Sequence, residues 1–294
     1  MKSLSNYISL PRISHLLKKE LYEKRKTLIL RSVILIAILS TATLFIGQEN
    51  SWRYDNIADS INRDINNTYI PNSYELSYDP HIKSHGVPTD RAINDTIIFF
   101  MFAFPITMAL GASFAFESMA SKRKKIAFLM TPATTLEKYI TQFVIYTFGI
   151  AVLFFVSCFI AELVRYLVFS AIYPGYGIIQ MISVDDILDF IRHRSMPICT
   201  YLMGTSLASA LFFLGSAIWP RLSFIKTFGV LSAIFFSNLF LGMAIYSFPC
   251  IFESALGEED LIFNFVNSTF IIISIFCFTM AYFRLRESEI IQRM

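Results

Sequence analysis

The stretch FESMASKRKKIAFLMTPATTLEKY, residues 116–139, decides how the chain is read. Four consecutive cations, Lys122, Arg123, Lys124 and Lys125, lead into a short apolar run at 126–130. That run cannot cross a bilayer, which takes about 20 apolar residues at 1.5 Å each. Just beyond it, Thr134 and Glu137 stand in T-x-x-E spacing. In such a capping box the threonine hydroxyl accepts from the glutamate N–H, and the glutamate carboxylate accepts from the threonine N–H. A helix is therefore predicted to begin after Thr134. The basic segment before it is a loop pinned between two apolar runs.

Those flanking runs set the class. Of 294 residues 55% are hydrophobic, only 16% are charged and 30 are phenylalanine, which is too apolar for a soluble domain of this size. Mean hydropathy is +0.55. The apolar residues come in blocks of spanning length that are apolar all round, not alternating as barrel strands would be. The expected fold class is all-α: a polytopic membrane protein forming a single transmembrane domain.

Working outward, six spans are predicted, at 28–47, 95–117, 136–161, 198–218, 222–248 and 261–283. An exterior loop fills 48–94, the basic cytoplasmic loop 118–135, and a second exterior loop 162–197. A short, wholly acidic exterior loop fills 249–260. Residues 1–27 are predicted as a cytoplasmic interfacial helix, because Ile13, Leu16, Leu17 and Leu21 recur at helical spacing opposite His15, Lys18, Lys19, Glu20, Glu23 and Lys24. Residues 284–294 form a cytoplasmic tail. Within the second exterior loop, Ser183 and Asp186 signal another helix start, and Val184, Ile187, Leu188 and Ile191 line one face of it. Ala109, Gly111, Ser113 and Ala115 make a small-residue row suited to close helix packing. Glu162 and Arg165 share a helix face and are expected to pair.

Orientation follows from charge. With the N-terminus cytoplasmic, the inner segments hold eight cations up to Arg31, five from Lys122 to Lys138, and Arg221, Lys226, Arg284, Arg286 and Arg293. They make 18 of the 25 cations, whereas 16 of the 22 acids fall outside. Six spans with both ends inside satisfy the positive-inside rule.

Little in the chain suggests chemistry of its own. No phosphate-loop, HExxH or GxSxG motif occurs, and ionisable residues are almost missing from span centres. The chain is not expected to be an enzyme, nor to hold a cofactor or metal, nor to bind nucleic acid. His81 and His85 are separated from helical geometry by Pro80 and Gly86, and the Tyr-Pro-Gly-Tyr-Gly run at 173–177 reads as a turn. Cys158 and Cys277 read as buried thiols, while Cys199 and Cys250 fall near the outer surface, where a disulfide between them stays open.

The interfacial helix, the six spans and the basic-then-apolar loop together resemble the membrane subunit of an ABC-2 type transporter. Residues 116–140 are similar to a stretch of ABC permease-like proteins from Bacteroides-type bacteria, in which Leu-x-x-Pro-Ala-[ST]-x-x-Glu-Lys follows span two. This chain supplies Met130, Pro132, Ala133, Thr134, Glu137 and Lys138 in that order, with Leu129 just ahead. The resemblance implies a permease subunit, an exporter in the inner membrane, that works beside a second permease subunit, identical or not. It also implies a separate ATP-binding subunit that binds the ATP and on which the loop after span two docks as a cytoplasmic coupling helix between spans two and three. The implied docking residues are Glu117, Lys122, Arg123, Lys124, Lys125, Ile126, Phe128, Leu129, Met130 and Glu137. The chain departs from that family in its short loop between spans five and six. The competing reading is a non-transporting membrane scaffold, sensor or assembly factor whose basic loop holds anionic lipid or a regulator.

Overall fold

Long apolar runs satisfy their backbone internally only as helices, the one open-chain answer in hydrocarbon, and Pro105 and the glycines within them are accommodated there. Every regular element among the described residues is a helix. The computed structural model describes residues 9–50, 88–172, 181–193, 198–246 and 259–291. In chain order they form α1 (Leu10–Glu49), α2 (Pro88–Ser113), a 3₁₀ turn (Glu117–Met119), α3 (Lys122–Leu129) and α4 (Thr135–Phe143). A π-helical segment (Val144–Gly149) leads into α5 (Ile150–Ile172). Then follow α6 (Val184–His193), α7 (Ile198–Ile218), α8 (Ser223–Tyr246) and α9 (Glu259–Ile291).

Five stretches are long and apolar enough to cross a bilayer: Pro11–Glu49, Ala92–Met119, Thr135–Ile172, Ile198–Ile218 and Val266–Ser288. They mark a multi-pass helical membrane protein. The predicted span at 222–248 is helical as α8, but its described apolar portion, Ser223–Ser237, is shorter than a span. Many large apolar side chains stand exposed, among them Phe45 at 72%, Phe102 at 71% and Val152 at 64%. In water such a surface would drive association, whereas hydrocarbon covers it without cost.

At three predicted boundaries the helices extend further than the apolar runs. Across the predicted boundary between residues 27 and 28, α1 runs unbroken for 40 residues. The charge pattern changes there, but no glycine or proline falls between Pro11 and Gly47, and Leu, Lys, Arg and Glu all favour continuation. The second apolar helix begins at Pro88 instead of 95, with proline where its missing N–H costs nothing. The expected tail from 284 onward is helical through Ile291. The motifs at 81–85 and 173–177, and Cys250, lie outside the described residues. Among the described cysteines Cys158, Cys199 and Cys277 are free, with Cys277 buried and Cys199 exposed.

The helices pack as two units. One draws on residues 1–25, 104–152 and 196–294. Its core begins with the predicted small-residue row: Ala109, Ala112 and Ala115 are buried, and a Cβ on Gly111 would lie 2.8 Å from the Ile150 side chain. Phe116, Phe212, Phe213, Ala217, Ala281 and Leu285 complete that core. α7 and α8 approach so closely that a Cβ on Gly215 would collide with Thr227. The turn between them carries Leu222 at φ 58°, the left-handed region, which a side chain occupies only at a cost.

The other unit draws on 26–103 and 153–195. The Thr43 hydroxyl donates to the Ser40 carbonyl at 3.0 Å and to that of Ala161 at 3.4 Å, tying α1 to α5. The expected Glu162–Arg165 pair is present and buried, at 4% and 2% exposure. Arg165 Nε donates to Glu162 Oε2 at 2.9 Å, and the Ile182 N–H donates to Glu162 Oε1 at 3.2 Å. The adjoining Ser183–Asp186 capping box closes as predicted, with bonds of 2.7 and 3.2 Å. On the helix it starts, Val184, Ile187 and Leu188 remain exposed, as an interfacial helix requires.

Candidate functional site

The segment singled out by sequence is built on aromatic rings. Phe116, fully buried, lies edge-on to Phe213 at 5.2 Å between centroids. Tyr139 meets Phe213 at 5.7 Å and Tyr282 at 5.6 Å, and Phe143 meets Phe278 at 5.0 Å. Each is a T-shaped contact, the arrangement that ring quadrupoles favour. The Tyr139 hydroxyl donates to the Phe278 carbonyl at 2.8 Å, so the ring cluster is also pinned by a polar bond. The end of α2, α4, α7 and α9 thereby share one base beneath the loop.

On that base the chain makes the 3₁₀ turn with Met119 buried, then α3, whose first bond runs from the Lys125 N–H to the Ser121 carbonyl at 2.8 Å. Arg123 is exposed and Lys125 half-buried. Ile126 is 50% exposed and Met130 78% exposed. Phe128 turns the other way, half-buried against the ring cluster, with Lys138 Nζ 5.8 Å from its ring centre. Glu117 is half-buried. The side chains of Lys122, Lys124 and Leu129 lie outside the described set.

The predicted capping box forms in full: the Glu137 N–H donates to Thr134 Oγ1 at 3.2 Å, and the Thr134 N–H donates to Glu137 Oε2 at 3.0 Å. The other carboxylate oxygen accepts from the Ser9 N–H at 3.1 Å. Glu137 is fully buried. One carboxylate thus caps α4 and also holds the first turn of α1. The Phe128 ring, too, makes contacts inside the chain.

Sequence reasoning missed a polar cluster beside the π segment. Lys24 Nζ stands 2.6 Å from Glu20 Oε1 and donates to the Tyr146 hydroxyl at 3.0 Å, while Gln142 Nε2 donates to Glu20 Oε1 at 2.9 Å. Glu20 and Lys24 belong to the polar face of the predicted interfacial helix. The signal was Gln142 and Tyr146, two polar groups four residues apart in an otherwise apolar run, which need partners inside a membrane protein. The π segment itself, where one extra residue is taken into the turn, left no mark in the sequence.

A cavity of about 20 Å³ lies between α1 and the loop, lined by Leu16, Glu20, Phe128, Thr131 and Lys138 among others, room for about one water. No group of three or more metal-ligating side chains occurs among the described residues. The surface offers non-covalent recognition: two exposed apolar side chains beside cations on a firmly held short helix. The chain matches no protein-family model, no curated protein and no solved structure.

Proposed function

We propose that the chain is the membrane-spanning permease subunit of an ABC-2 type exporter in the inner membrane. In this reading it has six spans, α8 included, with both ends on the cytoplasmic side. A second permease subunit stands beside it, and a separate ATP-binding subunit docks on α3 and supplies the ATP hydrolysis. The observation that carries the reading is the presentation of α3. An eight-residue cationic helix exposes Ile126, and Met130 stands exposed in the turn after it, while Phe128 roots the helix in a ring cluster shared by four helices. A rigidly based apolar knob beside positive charge suits a groove on a soluble partner, and its seating transmits displacement to the spans without first deforming the loop.

The test is a mild-detergent pull-down of the tagged full chain, with ATP hydrolysis assayed in the eluate. A nucleotide-binding partner in one-to-one ratio is expected. Met130→Asp, which sets a charge in the docked groove, is expected to lower its recovery at least tenfold with membrane insertion unchanged. Undiminished recovery in Met130→Asp and Ile126→Asp would sink the docking role.

A further inference from the structure

At the end of α7 and beside α9 lies a groove of about 610 Å³, within the range of small-molecule sites. Leu214, Ile218, Met280 and Phe283 give it an apolar lining, and Arg284, Arg286 and Glu287 stand at its charged end. Ile218, Met280 and Phe283 are 38%, 43% and 51% exposed, so this lining is open to whatever surrounds the helices. The depth is fixed by sequence: the apolar run of α9 gives way to charge at Arg284, and Trp219 follows Ile218 at the end of α7. Tryptophan and arginine at span ends mark the headgroup layer. The groove therefore begins in hydrocarbon and ends among phosphates.

Its charges are not balanced. Arg284 Nη1 lies 2.6 Å from Glu287 Oε2 in an exposed pair. Arg286, also exposed, has no acidic partner among the described residues. Among the described lining residues, two arginines stand against one glutamate at the mouth of an apolar trough.

We propose that this groove holds one anionic phospholipid from the leaflet at this end of α7 and α9. An acyl chain lies along Leu214, Ile218, Met280 and Phe283, and the headgroup phosphate sits on Arg286, reinforced by Arg284. The charge complementarity selects an anionic lipid over a zwitterionic one, and the apolar trough selects a lipid over a free phosphate. The inference does not depend on whether an ATP-binding subunit docks on α3.

The test uses the purified full chain in micelles doped with either phosphatidylglycerol or phosphatidylcholine, with retained lipid read by native mass spectrometry. Phosphatidylglycerol is expected to be retained preferentially. Each basic residue near a membrane surface contributes about a fivefold preference, so Arg284→Gln with Arg286→Gln is expected to lower retention roughly 5–30-fold. Met280→Trp, which fills the trough, lowers it as well. Glu287→Gln removes the competing carboxylate and raises retention, a gain that misfolding cannot produce. Three results would each overturn the proposal. These are undiminished retention in the double arginine variant, undiminished retention in Met280→Trp, and a photoreactive residue at position 280 that attaches to a second copy of the chain instead of lipid.

Discussion

Replacing Glu137 with alanine should loosen two helix starts at once. In the folded chain the carboxylate accepts from the Thr134 N–H at 3.0 Å and the Ser9 N–H at 3.1 Å, and its side chain is fully buried. Losing a cap costs about 1 kcal/mol. Each amide left without an acceptor costs about 1–3 kcal/mol when buried. Both amides here are part-buried, which sets the expected loss near the lower end, about 2–4 kcal/mol in all. For a chain of this size the thermal midpoint should fall on the order of 5–10 °C. Glu137→Gln, which keeps one acceptor oxygen, should fall between alanine and wild type. The assay is thermal unfolding of the full chain at fixed detergent and lipid, paired with hydrogen exchange of the amides at 9–13 and 134–138. Exchange should quicken in both windows together. Met130→Asp, altering an exposed side chain, should leave the midpoint in place. An unchanged midpoint in Glu137→Ala, or faster exchange in only one window, would refute the double cap.

Three further outcomes follow from packing. Arg165→Leu strands a buried carboxylate and should cost about 3–5 kcal/mol, most of it recovered when Glu162→Leu is added; a double variant less stable than the single one would refute the pairing. Leu222→Gly should raise thermal stability by up to about 1 kcal/mol by relieving the left-handed backbone at φ 58°, and a lower midpoint would show that the side chain itself is needed. Gly215→Val should cost about 1–3 kcal/mol because Thr227 already occupies the space, whereas Gly229→Ala, with open space around it, should be neutral or slightly stabilising; equal effects would contradict the close approach of α7 and α8.

The parts legible in sequence were those that local chemistry decides. The caps at Thr134 and Ser183 are fixed by residues three apart, and the Glu162–Arg165 pair by one helix turn, so spacing alone revealed them. Apolar runs announced the spans for the same reason. What stayed hidden depends on distant partners. Nothing near Glu137 announces that its second oxygen serves Ser9, and nothing near Phe128 says that its ring turns inward while Met130 turns out. Helix continuity is hidden where charge changes without a breaker: at residues 27 and 28 the residue pattern changes but the backbone has no reason to stop.

The bond from Ser9 to Glu137 spans 128 positions, and those from Glu20 to Gln142 and from Lys24 to Tyr146 span 122. At about 5–20 residues per second of synthesis, that spacing is a delay of roughly 6–25 s. For that interval the Glu20–Lys24 pair of the newborn first helix lacks Gln142 and Tyr146, and the Ser9 amide lacks its carboxylate acceptor. These three contacts close only once the residues from 137 to 146 have been made. A ribosome stall or truncation between residues 50 and 137 would leave an inserted but incomplete first helix, a natural target for quality control.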